Sequence, residues 1–326
     1  MQTDVSIEII THSEDLPPAL PGNKFFHSAE FFRIAEKTKG QSPYMVVARR
    51  GGVVVACLLA LLRRRGSLIP PYLFSQGRIY GEGCYAENEH REELFQLMLQ
   101  AITRKLRHKL CMYIEFSDLS TKMFSYKHFR AEGYFPVRWM EIHNSLHSMP
   151  PEDRLSDKML ARIEKASKMD TVTKEVTDFD EFRAFYKLLH AFYRFKVRRY
   201  LPPERQFFEF YQSGNCQLLV TEHNGKVIGG SATVNSGGNT YLWFMASRRK
   251  SYHHLHPETL TVWNALKSAY EQGSRHFYFM DVGLPYQKNL FREFILSFGG
   301  KPVGTYRWFR FTFSWMNRIL SLIYKE

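Results

Sequence analysis

Two stretches of the chain carry the same succession of apolar runs and polar punctuation. Residues 45–61, MVVARRGGVVVACLLAL, are an apolar run, a polar turn ending in glycine and a second apolar run. Residues 218–234, LLVTEHNGKVIGGSATV, repeat that design, with Val47 over Val220, Gly52 over Gly225 and Val55 over Ile228. Glycine after a polar residue between two such runs predicts a β-hairpin, because tight hairpin turns need positive φ. With a small change of offset, residues 93–118 lie over residues 259–283. Both read as an amphipathic helix, a basic turn and a strand ending in an acid, which sets Lys109 over Arg275, Tyr113 over Phe279 and Glu115 over Asp281. At that offset HFRAEGYFPV meets ILSFGGKPV, with Gly133 on Gly299, Pro136 on Pro302 and Val137 on Val303. Three matches in one order indicate an internal duplication.

Each repeat reads helix, strand, strand, helix, strand, helix, strand. That order predicts an α/β fold, a mixed sheet with helices on its faces. The prolines at 150 and 151 mark the expected junction, giving domains 1–149 and 150–326. Just after it, Leu155, Met159, Ile163 and Ala166 recur at helical spacing, and the other face of that helix carries Lys158, Arg162, Lys165 and Lys168.

Composition adds a sign of charge. The 326 residues are 44% hydrophobic and 24% charged, which suits a globular chain, and the formal net charge of +13 favours polyanionic partners such as nucleic acid, anionic lipid or phosphorylated metabolites. The four cysteines form no CxxC pair, so no zinc ribbon is expected, and Cys57 and Cys111 sit in apolar runs as buried thiols. No segment approaches the ~20 apolar residues of a membrane span, and the acidic start MQTDVSIEIITHSED does not read as a signal peptide. The expected location is the cytoplasm.

The helix LSDKMLARIEKASK resembles the signature helix of FemAB-type proteins, L-S-x-K-x-R-x-x-I-x-K-A-x-K. Ser156, Lys158, Ile163, Lys165, Ala166 and Lys168 match, and Arg162 falls near the pattern's arginine. The strand, loop and helix YLWFMASRRKSYHHLHPETLTVWNALKSAYEQGSRHFYFMDVG and the closing FREFILSFGGKPV are similar to elements of the same bacterial family. The resemblance implies tandem GNAT-like domains and an acyltransferase. Its co-substrate would be an aminoacyl-tRNA or an acyl-CoA, and its acceptor an amine of a cell-envelope or peptidoglycan precursor. One departure stands out: the R/Q-x-x-G-x-G/A loop with which GNAT enzymes wrap a CoA pyrophosphate is replaced by SRRKSYHHLHPE.

Acyl transfer to an amine needs positioning, a proton acceptor and donors for the oxyanion, and it needs no triad when the donor is already activated. Asp281, ending the strand HFYFMD, is the candidate to hold or deprotonate the amine. His254, within the group His253, His254 and His256, is a candidate for proton handling. Glu258 after Pro257 suits the first turn of a helix and is a second candidate base. Arg248, Arg249 and Lys250 are candidates for the donor's phosphates. The basic helix with Lys158, Arg162 and Lys165, and the run Arg194, Lys196, Arg198 and Arg199 among aromatics, are candidates for phosphates or a tRNA backbone. Tyr241 and Trp243 lie on the strand that resembles the family's. Tyr72, Gln76 and Arg78, in a loop over residues 70–83, resemble an acceptor-side pocket. Arg63, Arg64 and Arg65 are expected at a solvated hairpin tip. Trp315, Ile319, Leu320 and Ile323 share one face of a C-terminal helix expected to dock on the body, with peripheral membrane contact as the other possibility. No metal is expected, since HHxH lacks nearby acids or cysteines. A non-catalytic scaffold of this kind, binding nucleic acid or another polyanion, is the competing reading.

Overall fold

The computed structural model describes residues 5–66, 72–109, 111–194, 200–280 and 282–324. The chain divides into two compact units, residues 1–139 with 304–326, and residues 140–303. This division differs from the junction expected near Pro150. The last strand of each repeat starts in one unit and ends in the other.

The first unit comprises β1 (Val5–Ile10), α1 (Ala29–Glu36), β2 (Gln41–Arg50), β3 (Val53–Gly66), β4 (Leu73–Tyr80), the short β5 (Cys84–Tyr85), α2 (Arg91–His108), β6 (Tyr113–Ser117), α3 (Tyr126–Ala131) and the start of β7 (Phe135–Ser145). The second holds α4 (Asp157–Ser167), β8 (Thr171–Glu175), α5 (Phe179–Tyr193), α6 (Glu204–Tyr211), β9 (Cys216–His223), β10 (Lys226–Ser236), β11 (Asn239–Ser247), α7 (Pro257–Glu271), β12 (His276–Phe279), α8 (Leu290–Leu296) and the start of β13 (Lys301–Phe311). The end of β13 and α9 (Ser314–Ile323) return to the first unit.

The two hairpins stand where the apolar runs place them. The β2–β3 turn uses Gly51 and Gly52 at φ of 56° and 83°, and the β9–β10 turn uses Asn224 and Gly225 at 49° and 68°. Two successive residues with positive φ make the type I′ turn whose twist matches the flanking strands. The repeat is richer than the sequence suggests. A strand precedes each hairpin repeat and a third antiparallel strand follows it, so the strand order within the first unit is β1-β2-β3-β4-β6-β13 and within the second β8-β9-β10-β11-β12-β7. In each unit the pair next to last is parallel, β4 with β6 and β11 with β12. Each closes with the strand that the other repeat supplies: Trp308–Phe311 pairs with β6, and Ile142–Ser145 pairs with β12.

The residue-by-residue match of the repeats also slips. Tyr113 faces away from α2, where it meets Arg65, whereas Phe279 packs in the core beneath α7. Ile114 and Phe116 occupy the helix-facing positions in β6. An offset in error by one residue reverses every facing in a strand.

Two cores result. In the first, Leu94, Phe95, Met98, Leu99, Ile102 and Leu106 of α2 cover the sheet together with Phe129 and Trp308, whose rings stack at 4.6 Å. In the second, Met159 and Ile163 of α4 pack with Val262 and Leu266 of α7 and with Phe277 and Phe279. Ser156 caps α4 by accepting from the Met159 N–H, so the expected helix begins one residue after Ser156. The pair Gly229–Gly230 in β10 has a steric reason. A Cβ on Gly229 would run into Thr261 Oγ1 of α7, and one on Gly230 would lie 2.8 Å from the Phe185 ring of α5. The glycines let a helix lie close on each face of the strand.

Three expectations fail here. Residues 70–83 were expected as a loop, yet Leu73–Tyr80 is strand β4, paired on both sides. Arg63 was expected at a solvated tip, yet β3 runs on to Gly66 and alternation turns Arg63 inward, where it donates to the Tyr80 hydroxyl at 3.3 Å. The C-terminal helix is likewise not docked by its apolar face: Trp315, Ile319 and Ile323 are exposed.

Candidate functional site

In the second unit, β11 leads through the segment SRRKSYHHLHP into α7. The parallel ladder joins Thr240–Leu242 to Phe277–Phe279, while β11 continues to Ser247. The Tyr193 hydroxyl of α5 donates to the Met245 carbonyl at 2.9 Å and braces that extension. His256, with φ of 46°, turns the chain into α7, and Pro257 opens the helix at a position where no N–H is needed.

Several of the candidate residues meet at this helix start. Glu258 lies in the first turn of α7, its side chain largely buried, with Oε1 3.6 Å from Arg249 Nε. Its Oε2 is buried with no hydrogen-bond partner among the described residues. The His256 pKa is held below its ordinary value by burial first and then by Arg162 and Lys165, with Glu258 pulling the other way. The basic face of α4 therefore reaches the start of α7, and the sequence candidates Arg162, Lys165, Arg249, His256 and Glu258 share one electrostatic environment. A helix start adds the positive end of the macrodipole and amide donors to these cations. That combination of cations and amide donors is suited to phosphate or another anion, and the largely buried carboxylate beside it is suited to accept a proton.

Other candidates are more peripheral. His254 is exposed and its ring meets that of His253 at 5.5 Å. Arg248 and Lys250 are both exposed in the same segment. Lys158, at the opposite end of α4 from Lys165, is exposed. Tyr241 is half-buried and meets the Tyr278 ring at 5.0 Å, whereas Trp243 is buried against Phe210. Asp281 and Arg198, with Lys196 and Arg199, lie outside the described residues. After position 281 the chain is pinned: Arg292 donates to the carbonyls of Leu284 at 2.7 Å and Gln287 at 2.6 Å, and Asn289 Nδ2 donates to the Val282 carbonyl at 2.9 Å.

The first unit carries a different site. Gln76 and Arg78 alternate on the face of β4 away from α2, and both reach Glu115 of β6. Gln76 Nε2 donates to Glu115 Oε2 at 2.7 Å, and Arg307 Nη1 lies 3.3 Å from Glu115 Oε1. Arg78 also donates to Ser117 Oγ at 2.7 Å and lies over the Tyr80 ring at 4.4 Å. Burial works against the Arg78 charge, but Glu115 and then Tyr80 outweigh it and raise its pKa. Burial pushes the Tyr80 phenol up, and the adjacent Arg63 and Arg78 more than reverse that. Tyr72, expected in the same pocket, is exposed at the beginning of the strand. Sequence reading missed Glu115 and Arg307 as members of this network. The alternation Ile114, Glu115, Phe116, Ser117, apolar inward and polar outward, is the signal that marks the polar face.

Comparison with known proteins fits this architecture. Residues 156–288 match the family described as an acetyltransferase (GNAT) domain. No curated protein matches the chain in sequence. A solved structure described as FemX superposes with a TM-score of 0.64 at 10% identity, over 94% of this chain and 95% of that one. The C-terminal domain of a putative lysylphosphatidylglycerol synthetase from Agrobacterium fabrum gives 0.59 at 11%, over 91% and 90%. A tandem GNAT protein from the clavulanic acid biosynthesis pathway gives 0.56 at 12%, over 94% and 99%. At these identities the likeness is one of fold.

Proposed function

From the acetyltransferase (GNAT) domain that residues 156–288 form within a tandem GNAT-like fold, we propose an N-acyltransferase whose second unit binds the phosphorylated part of an activated donor at the start of α7. The observation that carries this reading is the gathering of Arg162, Lys165, Arg249 and His256 around a helix start whose first turn holds the largely buried Glu258. Cations and helix amides suit the diphosphate of an acyl-CoA as well as the terminal phosphates of an aminoacyl-tRNA. The glycine-free turn, with His256 taking the positive φ, favours side-chain over backbone recognition, which accords with the aminoacyl-tRNA alternative. Glu258 accepts the amine proton, and Asp281, which follows β12 in sequence, holds the acceptor amine; the acceptor is an amine of an envelope precursor.

Titration calorimetry of the full chain with acetyl-CoA and with an aminoacyl-tRNA tests the proposal. One of the two donors binds, and Arg162→Ala with Lys165→Ala weakens it by about tenfold. In turnover, Glu258→Gln and Asp281→Asn each lower kcat by about a hundredfold and leave donor affinity near that of the wild type. Binding of neither donor, or donor affinity unchanged in the Arg162/Lys165 variant, refutes the donor site. Full activity of Glu258→Gln refutes the role of that carboxylate.

A further inference from the structure

One end of the first unit's sheet gathers exposed apolar side chains and cations that the proposed chemistry does not use. Four strand termini meet there. Gly66 at the end of β3 pairs with Leu73 at the start of β4. The Met112 N–H, just before β6, donates to the Ser75 carbonyl at 2.8 Å, and the Thr312 N–H, just after β13, donates to the Met112 carbonyl at 3.0 Å. From β4 to β13 is two strand spacings, roughly 10 Å. Along this edge Tyr72 is 67% exposed, Leu73 65% and Phe313 54%.

The helix α9 extends the same edge. None of its ten residues is buried. Asn317 fixes it to the body by donating to the Gly133 carbonyl at 3.0 Å, and Tyr324 stacks near Phe135 at 6.5 Å. The opposite stripe turns outward: Trp315, Ile319, Leu322 and Ile323, at the i, i+4, i+7, i+8 spacing of one helical face, are 49–66% exposed. A soluble body gains nothing by presenting such a stripe to water, and contiguous exposed apolar surface marks a contact site.

The charge beside it says what kind. The connections at this end are basic: exposed Lys39 precedes β2, Arg64 lies near the end of β3, Arg107 lies in the last turn of α2 with Lys109 just after it, and Arg318 flanks the stripe on α9. Against them in the neighbouring turns stand Glu36, already bonded to the Ser13 N–H, and Glu132. Aromatic and aliphatic side chains rimmed by arginine and lysine suit the boundary between anionic headgroups and acyl chains. A helix of ten residues, about 15 Å long, lies in that boundary and does not cross it. Among the described residues no helix is long and apolar enough to span a membrane.

We propose that this end of the first unit docks on an anionic lipid bilayer, with α9 lying in the plane of the interface and Tyr72, Leu73 and Phe313 inserted beside it.

Co-sedimentation of the full chain with vesicles tests this, using phosphatidylcholine alone or phosphatidylcholine with roughly one-third phosphatidylglycerol. The expected result is partitioning at least about tenfold stronger onto the anionic vesicles, falling as salt is raised. Trp315→Asp with Ile323→Asp, both at exposed positions, lowers partitioning by at least about tenfold while circular dichroism and thermal unfolding stay unchanged. Arg64→Glu with Lys109→Glu weakens binding to anionic vesicles alone. The proposal is overturned by absence of binding to anionic vesicles, or by binding that neither variant alters. It is also overturned if light scattering finds a dimer that Trp315→Asp with Ile323→Asp dissociates, since a second copy then covers the stripe.

Discussion

His27 makes the stability of the first unit depend on pH in a way that one substitution isolates. Its side chain is 1% exposed. The Leu59 N–H donates to Nδ1 at 3.1 Å, and the Gly83 N–H lies 3.1 Å from Nε2. Burial, with Lys24 adding to it, pushes the imidazole pKa from 6.5 down to about 3. Protonation would expel the amide that occupies Nδ1 and place a charge where water is excluded. The native state therefore keeps His27 neutral, whereas the unfolded chain takes up a proton below pH 6.5. A depressed native pKa of this kind leaves the full stability present above pH 6.5 and removes it progressively down to about pH 3. Each pH unit in that window costs about 1.4 kcal/mol, so between pH 7.5 and pH 5 the first unit loses about 2 kcal/mol through this residue. Urea unfolding at pH 7.5, 6.5, 5.5 and 5, with amide exchange at Leu59 as the local probe, measures it. His27→Gln keeps a side chain able to accept from Leu59 and cannot titrate. The variant is less stable than the wild type at pH 7.5, and the gap narrows by about 2 kcal/mol at pH 5. Parallel pH dependences for the two proteins would show that His27 titrates normally and that the buried-neutral argument is wrong.

Two further substitutions probe packing and charge. Glu115→Gln leaves Arg78 and Arg307 without their shared carboxylate and is expected to destabilise the first unit by about 3 kcal/mol in urea, the scale for breaking a buried ion pair on one side. Gly229→Ala sets a methyl against Thr261 Oγ1 and is expected to cost about 1–3 kcal/mol, of which Thr261→Ala in the same chain recovers part, a coupling that a double-mutant cycle reads directly.

The parts of this molecule that follow local rules were legible before the structure. Apolar runs about a glycine turn located both hairpins, and the spacing of Met159, Ile163 and Ala166, behind the capping Ser156, located α4. The basic face of α4 and Glu258 in the first turn of α7 were readable as candidates from their residue types. Their shared environment was not, because 96 positions separate Arg162 from Glu258 along the chain. Strand β4 escaped for a related reason. Pro70, Pro71 and Gly77 argue locally for a loop, and its polar residues look solvated until Glu115 and Arg307 are brought beside them. Gly77 in that strand is a packing device, since a Cβ there would lie 2.8 Å from Leu106. The exchange of the last strands left no local trace, as each of β7 and β13 is an ordinary strand whose partner is decided by the whole sheet.

That exchange sets a timetable for synthesis. The first unit contains the N-terminus, but its sheet and its core are completed by Tyr306 and Trp308 near the other end of the chain. At ordinary elongation rates, roughly ten to thirty seconds pass on the ribosome between emergence of the first repeat and arrival of the strand that closes it. During that interval β6 has an uncovered edge and α3 lacks the indole against which Phe129 stacks. Until β13 has emerged the N-terminal repeat presents that unpaired edge, and neither repeat expressed alone carries all the strands of its own sheet.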